Sequence, residues 1–213
     1  MHGLIGSLLA AGLLRKTDER HFALGAHVMY WANGFLAQQD IVAEFHEAIA
    51  RLPELDPYTL TLSTLSNDQV VYLACRNSQS PLGFTFRIGM QLPAVFTATG
   101  KMMLSALSAA EVQALLPQFP PPYTERSVQS HTELADELAG CRRQGYALDD
   151  GQLRRGMHCF GTAVFDHAGQ ARFGVAASLI EAEADEKTRQ HLVDGLKKLA
   201  AQLTRTLGGQ LPA

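Results

Sequence analysis

The chain has 213 residues, 46% of them hydrophobic and 18% charged, with a formal net charge of -3. That is the composition of a soluble globular protein with one large domain, or one domain and a small appendage. No apolar run approaches the roughly 20 residues of a membrane span, and residues 1–14 lack the charged start and cleavage site of a signal peptide. Cys75, Cys141 and Cys159 are scattered and odd in number, which suits reduced thiols in the cytoplasm. The net charge gives no global basic signature for nucleic acid, although a larger acidic domain can outvote a small basic module.

At the start, Leu4, Ile5, Leu8 and Leu9 recur at helical spacing and Gly12 is placed to end the helix. Leu13–Lys16 and His21–Leu24 flank the turn Thr17-Asp18-Glu19-Arg20, with Arg15, Lys16, Arg20 and His21 around its tip. A helix followed by a small basic hairpin is how a winged helix-turn-helix ends; a capping helix with an edge hairpin reads equally well. Such a module needs about three helices, so the expectation is that Met1 falls inside the last of them. Ala23–Gln38 follows a helical pattern weakened by Gly25 and Gly34, with Leu24, Val28, Trp31 and Phe35 on one side. It reads as a linker helix that pairs with a second subunit, or as core packing within one.

Asp40 is placed to cap a helix carrying Ile41, Phe45, Ile49 and Leu52. Strands are expected at residues 58–65, 69–76 and 82–88. Gly89–Leu107 runs through Pro93 into Thr97-Ala98-Thr99-Gly100-Lys101 and a helix carrying Met102, Met103, Leu104 and Leu107. Small residues at a helix start let an anion approach unpaired N–H groups, although Thr97 or Thr99 could simply cap the helix, and the GxxxxGK[ST] spacing of a phosphate loop is missing. Ser108 to Glu111 is a capping box, Phe119–Tyr123 is a Pro-rich surface connector, and a helix from Thr132 to Gln144 places Leu134, Leu138 and Cys141 inward, with Gly145 as its cap.

After an acidic turn, Met157–Phe165 and Gln170–Leu179 read as a hairpin in which Phe165 meets Gln170, Gly161 meets Gly174 and Cys159 meets Ala176. Alternation sorts Cys159, Gly161, Ala163, Gly174, Ala176 and Ser178 onto one face, and Phe160, Thr162, Val164, Phe173, Val175, Ala177 and Leu179 onto the other. The small face either packs tightly on a helix or leaves room for something that is not protein. A long amphipathic helix from Asp185 to Leu207 closes the chain. The class is α+β, with a mostly antiparallel sheet flanked by helices. Asp149, Asp150, His158, Cys159 and His167 lie close in sequence, but alternation sends His158 and Cys159 to opposite faces and no HExxH-type pair occurs, so neither an enzyme nor a metal site is expected.

Four segments in this order, GLLRKTDERHFALG, LPAVFTATGKMMLSAL, GYALDDGQLRRGMHC and the closing hairpin with its helix, resemble the IclR family of bacterial transcriptional regulators. The resemblance implies a GAF/profilin-like effector-binding domain over 40–213, a linker helix over 25–39 and, over 1–24, a remnant of a winged helix-turn-helix. It implies a ligand-responsive regulator without a cofactor, off the membrane, assembled as a homodimer or homotetramer. The effector would be a small organic acid held by the backbone N–H groups of Ala98 and Thr99 and by Asp149, Cys159 and Ser178. Phe96 and Met157 would be apolar walls, and Ala176 stands where relatives carry a hydroxyl. Arg15, Lys16 and Arg20 would belong to the wing, and operator DNA would be bound only if the preceding helices are present. The alternative is a sensing module that acts through protein partners.

Overall fold

The computed structural model describes residues 2–18, 21–37, 41–78 and 85–211. The chain divides into two compact units, Met1–Asp40 and Ile41–Ala213. In the first, α1 (His2–Ala10) runs into a two-stranded ribbon of β1 (Leu14–Lys16) and β2 (Phe22–Leu24), which pair antiparallel with Leu14 opposite Leu24. Gly12, at φ 69°, ends α1 in the left-handed conformation that glycine adopts without penalty. Arg15 and Lys16 are exposed on β1; Arg20 lies outside the described residues. The helix α2 (His27–Ala37) leaves Met29, Tyr30 and Trp31 largely exposed.

The second unit contains α3 (Ile41–Ala50), β3 (Thr59–Ser66), β4 (Gln69–Arg76), β5 (Gln91–Pro93), α4 (Ala98–Ser105) and α5 (Ala109–Leu115), followed by α6 (His131–Gln144), β6 (Ala147–Asp149), β7 (Met157–Phe165), β8 (Ala171–Ile180) and α7 (Glu186–Thr206). Six strands form one antiparallel sheet in the order β5-β4-β3-β8-β7-β6. The bulky face, with Phe160, Val164, Phe173, Val175 and Leu179, forms a core with Phe45 and Ile49 of α3 and Leu192, Leu196, Leu199 and Leu203 of α7. The opposite face carries α4 and α6, whose Met103, Leu104, Leu134 and Leu138 share a second core with Cys159 and Ala163. The caps follow the sequence: Asp185 accepts from the Thr188 N–H at 2.7 Å, Ser108 and Glu111 form their box, and Gly145 at φ 72° closes α6. Asp40, expected to cap α3, lies outside the described residues.

Three local expectations change. The β7–β8 register is two residues further along: Cys159 faces Ser178, Gly161 faces Ala176 and Ala163 faces Gly174, with a bulge beside Phe165. Asp166 supplies the reason, since its carboxylate accepts from the Ala168 and Gln170 N–H groups and draws Gln170 into the loop. A slip of two preserves parity, so every side chain keeps its face. The third strand lies at Gln91–Pro93; of the expected 82–88, residues 82–84 lie outside the described residues and 85–88 are irregular. There the Asn77 amide bonds both backbone groups of Phe86 in place of a ladder, and Gly89 turns the chain at φ 81°. The acidic turn begins as the edge strand β6, with Asp149 opposite Cys159.

Candidate functional site

The small face of the β7–β8 hairpin divides in two. At its lower end α4 sits directly on glycine: a Cβ on Gly161 would lie 2.9 Å from the Thr99 nitrogen, and one on Gly174 would lie 2.6 Å from the Thr99 Cβ. Those positions are tight packing, and a side chain there would displace the helix start. One step along, Cys159 and Ser178 touch, Sγ to Oγ 3.0 Å, and with Ala176 and Met157 they floor a cavity. Thr61 and Tyr72 come to it from β3 and β4, Phe86 and Leu153 from loops, and Thr97, Ala98 and Thr99 from the start of α4. Its volume of about 10 Å³ is the room of about one water.

Thr97 caps α4, its Oγ1 accepting from the Gly100 N–H at 3.0 Å. Ala98 and Thr99 occupy the first turn, whose N–H groups have no intrahelical partners and carry the positive end of the helix dipole. The Thr99 hydroxyl is fixed by the Ser63 Oγ at 2.9 Å.

Opposite them stands Asp149, fully buried. Its Oδ1 accepts from the N–H groups of Gly151, Gln152 and Leu153 at 3.2, 2.7 and 3.4 Å. Its Oδ2 is buried with no hydrogen-bond partner among the described residues. Burial pushes the carboxyl up to about 6, against the opposing pull of Lys101 and of the three N–H bonds. The thiol of Cys159 is also pushed up, by burial first and then by Asp149, so it is held as a neutral hydrogen-bonding group.

Of the eight residues expected at the site, Ala98, Thr99, Asp149, Met157, Cys159, Ala176 and Ser178 line this cavity. Phe96 does not: it is buried in the core and its ring meets Tyr123 at 5.6 Å. Sequence reasoning did not place Thr61, Tyr72, Phe86, Thr97 or Leu153 at the site. For Thr61 a signal existed, since Thr59, Thr61 and Ser63 put hydroxyls at every second position of a strand whose alternate residues, Leu60 and Leu62, are core. His158 faces away from Cys159, its ring nitrogens buried without hydrogen bonds among the described residues and Nε2 3.7 Å from Glu181; burial holds it below the usual histidine range. Among the described residues no three His, Cys, Asp or Glu side chains are grouped to share a metal ion. No helix among them is long and apolar enough to cross a membrane.

The fold is shared with solved structures of bacterial transcriptional regulators. The family model described as bacterial transcriptional regulator IclR C-terminal matches residues 33–205, and the chain belongs to that family. The acetate operon repressor of Salmonella typhimurium is 29% identical over 169 residues, which are 78% of this chain and 62% of the repressor. The chain thus spans less than two thirds of that relative's length. The crystal structure of the Agobacterium tumefaciens repressor BlcR is 45% identical, covering 99% of this chain and 84% of BlcR with a TM-score of 0.77. The C-terminal domain of Escherichia coli KdgR is 27% identical, covering 80% of this chain and 99% of that domain with a TM-score of 0.73. These relatives are regulators of transcription, not enzymes.

Proposed function

We infer that the chain is a ligand-responsive transcriptional regulator in which residues 41–213 bind a small organic acid at the cavity between α4 and the β7–β8 hairpin. One observation carries this reading: Asp149 Oδ2 is buried and, among the described residues, unpaired beside a cavity whose other wall is the start of a helix. An unsatisfied buried oxygen costs about 1–3 kcal/mol, and such a defect is retained where a ligand completes the bonding. The α4 dipole and the first-turn N–H groups supply an anion subsite, the Cys159–Ser178 pair supplies polar contacts, and Met157 and Phe86 supply apolar walls. A cavity of about 10 Å³ does not hold an organic acid as it stands, so binding opens it. In this reading Arg15, Lys16 and Arg20 belong to a wing that contacts the DNA backbone, α2 pairs subunits into a dimer or tetramer, and ligand binding biases operator affinity in the cytoplasm.

The test is calorimetric titration of the full chain with carboxylic acids of about two to four carbons. Binding is expected, and it is expected to vanish in Ser178→Trp with the circular dichroism unchanged. Wild-type protein that binds none of these acids, or a Ser178→Trp variant that binds as before, refutes the site.

A further inference from the structure

Lys101 is a charged side chain at 1% exposure, one turn into the helix whose start lines the cavity. Its ammonium pairs with Glu137 of α6 at 2.5 Å and donates to the carbonyl of Leu148 at 3.2 Å, the residue immediately before Asp149. The same Glu137 accepts from the Gln152 amide at 3.0 Å. Gln152 in turn donates its own N–H to Asp149 Oδ1 at 2.7 Å and accepts from the Val128 N–H at 3.3 Å, while its carbonyl accepts from Ser127 Oγ at 2.7 Å. One buried cation thereby joins α4, α6, the 127–128 loop and the segment that presents Asp149. A buried lysine carries a desolvation cost that only good partners offset, and a methionine would fill the same space without it.

We propose that Lys101 is the positioning residue of the pocket: it holds residues 148–152 against the cavity and decides whether Asp149 meets the effector as a carboxylate or as a neutral acid. The inference rests on the reading of the cavity as an effector site. Among the described residues, the titratable groups whose charge acts on Asp149 are Lys101, held at the preceding carbonyl, and Cys159 and Tyr72, which share its cavity. Burial drives both the thiol and the phenol toward their neutral forms, so the ammonium is the charge that answers the carboxyl. A neutral Asp149 donates a hydrogen bond to an anionic ligand; an ionised one repels an anion and accepts from a hydroxyl. Lys101 therefore sets the pH above which a simple carboxylate is disfavoured.

The test uses the full chain with 13C-labelled aspartate carboxyls, the Asp149 signal being assigned with Asp149→Asn. In Lys101→Met the midpoint of Asp149 rises by about one pH unit or more, because an opposite charge is lost. In Glu137→Gln it falls, because Lys101 loses the anion that competes for it. A merely structural network would move both variants the same way, and that result, or no movement, overturns the proposal. Should Lys101→Met fail to fold, Glu137→Gln decides alone: a lowered midpoint supports the proposal, and an unchanged or raised one overturns it. Acetate, glycolate and glyoxylate are then titrated against each folded variant. The pH at which their affinity bends follows the carboxyl midpoint; a bend that stays fixed while the midpoint moves overturns the link to ligand binding. Absence of binding by the wild type removes the effector reading, whereas the hold of Lys101 on Asp149 is read in the free protein.

Discussion

Asp149→Asn isolates the cost of the buried carboxyl. Asparagine keeps an oxygen for the Gly151, Gln152 and Leu153 N–H groups and replaces the unpaired Oδ2 with an amide nitrogen that cannot ionise. The carboxyl moves from 3.8 in the open chain to about 6 in the fold. A group whose folded value is raised contributes stability that is fully present below the unfolded value and lost as pH climbs through the folded one. Two units of displacement correspond to about 3 kcal/mol, so wild type loses about that much relative to the variant between pH 4 and pH 8. For a domain of this size that is a relative change in Tm of about 6–12 °C. Differential scanning calorimetry of both proteins at intervals across that range, in buffers free of carboxylic acids, measures it. The variant's advantage should be small at pH 4 and grow toward pH 8. Parallel Tm curves would show that Asp149 is not held near 6 and would remove the physical basis for its role in the pocket.

Three further outcomes follow from the geometry. Gly161→Ala places a methyl 2.9 Å from Ala98 and the Thr99 nitrogen; it should lower stability by about 1–3 kcal/mol and weaken acid binding more than an equally destabilising change elsewhere, measured by denaturation and calorimetry side by side. Asp185→Ala removes the cap from the 21-residue closing helix and should cost about 1 kcal/mol without altering ligand affinity, which makes it that comparison. Burial pushes the Cys75 and Cys141 thiols to about 11 and raises Cys159 further, so native protein at pH 7.5 should resist iodoacetamide and react at three sites only after denaturation, as counted by mass spectrometry.

The sequence by itself determined the elements whose signals are local. Ser108 with Glu111, Asp185 and Gly145 mark helix ends through bonds to their own neighbours, and alternation along Met157–Phe165 assigned each side chain to its face whatever the partner strand did. That parity is why a register two residues out still placed Cys159 and Ser178 together on the small face. Tertiary structure decided which part of that face is packed and which part lines a cavity. Gly161 and Gly174 are filled by Ala98 and Thr99, whereas Cys159, Ala176 and Ser178 are left open, and the difference depends on where α4 comes down, which no spacing within the hairpin contains. Phe96 could not be separated by residue type from the residues that line the cavity. Tyr72 and Phe86 joined the site only through strand order and an Asn77 side chain standing in for a strand. Lys101 shows the limit most plainly: in the sequence it is only a basic residue beside a helix start, and the approach of Glu137, 36 residues on, and Leu148, 47 residues on, makes it a buried charge behind the cavity.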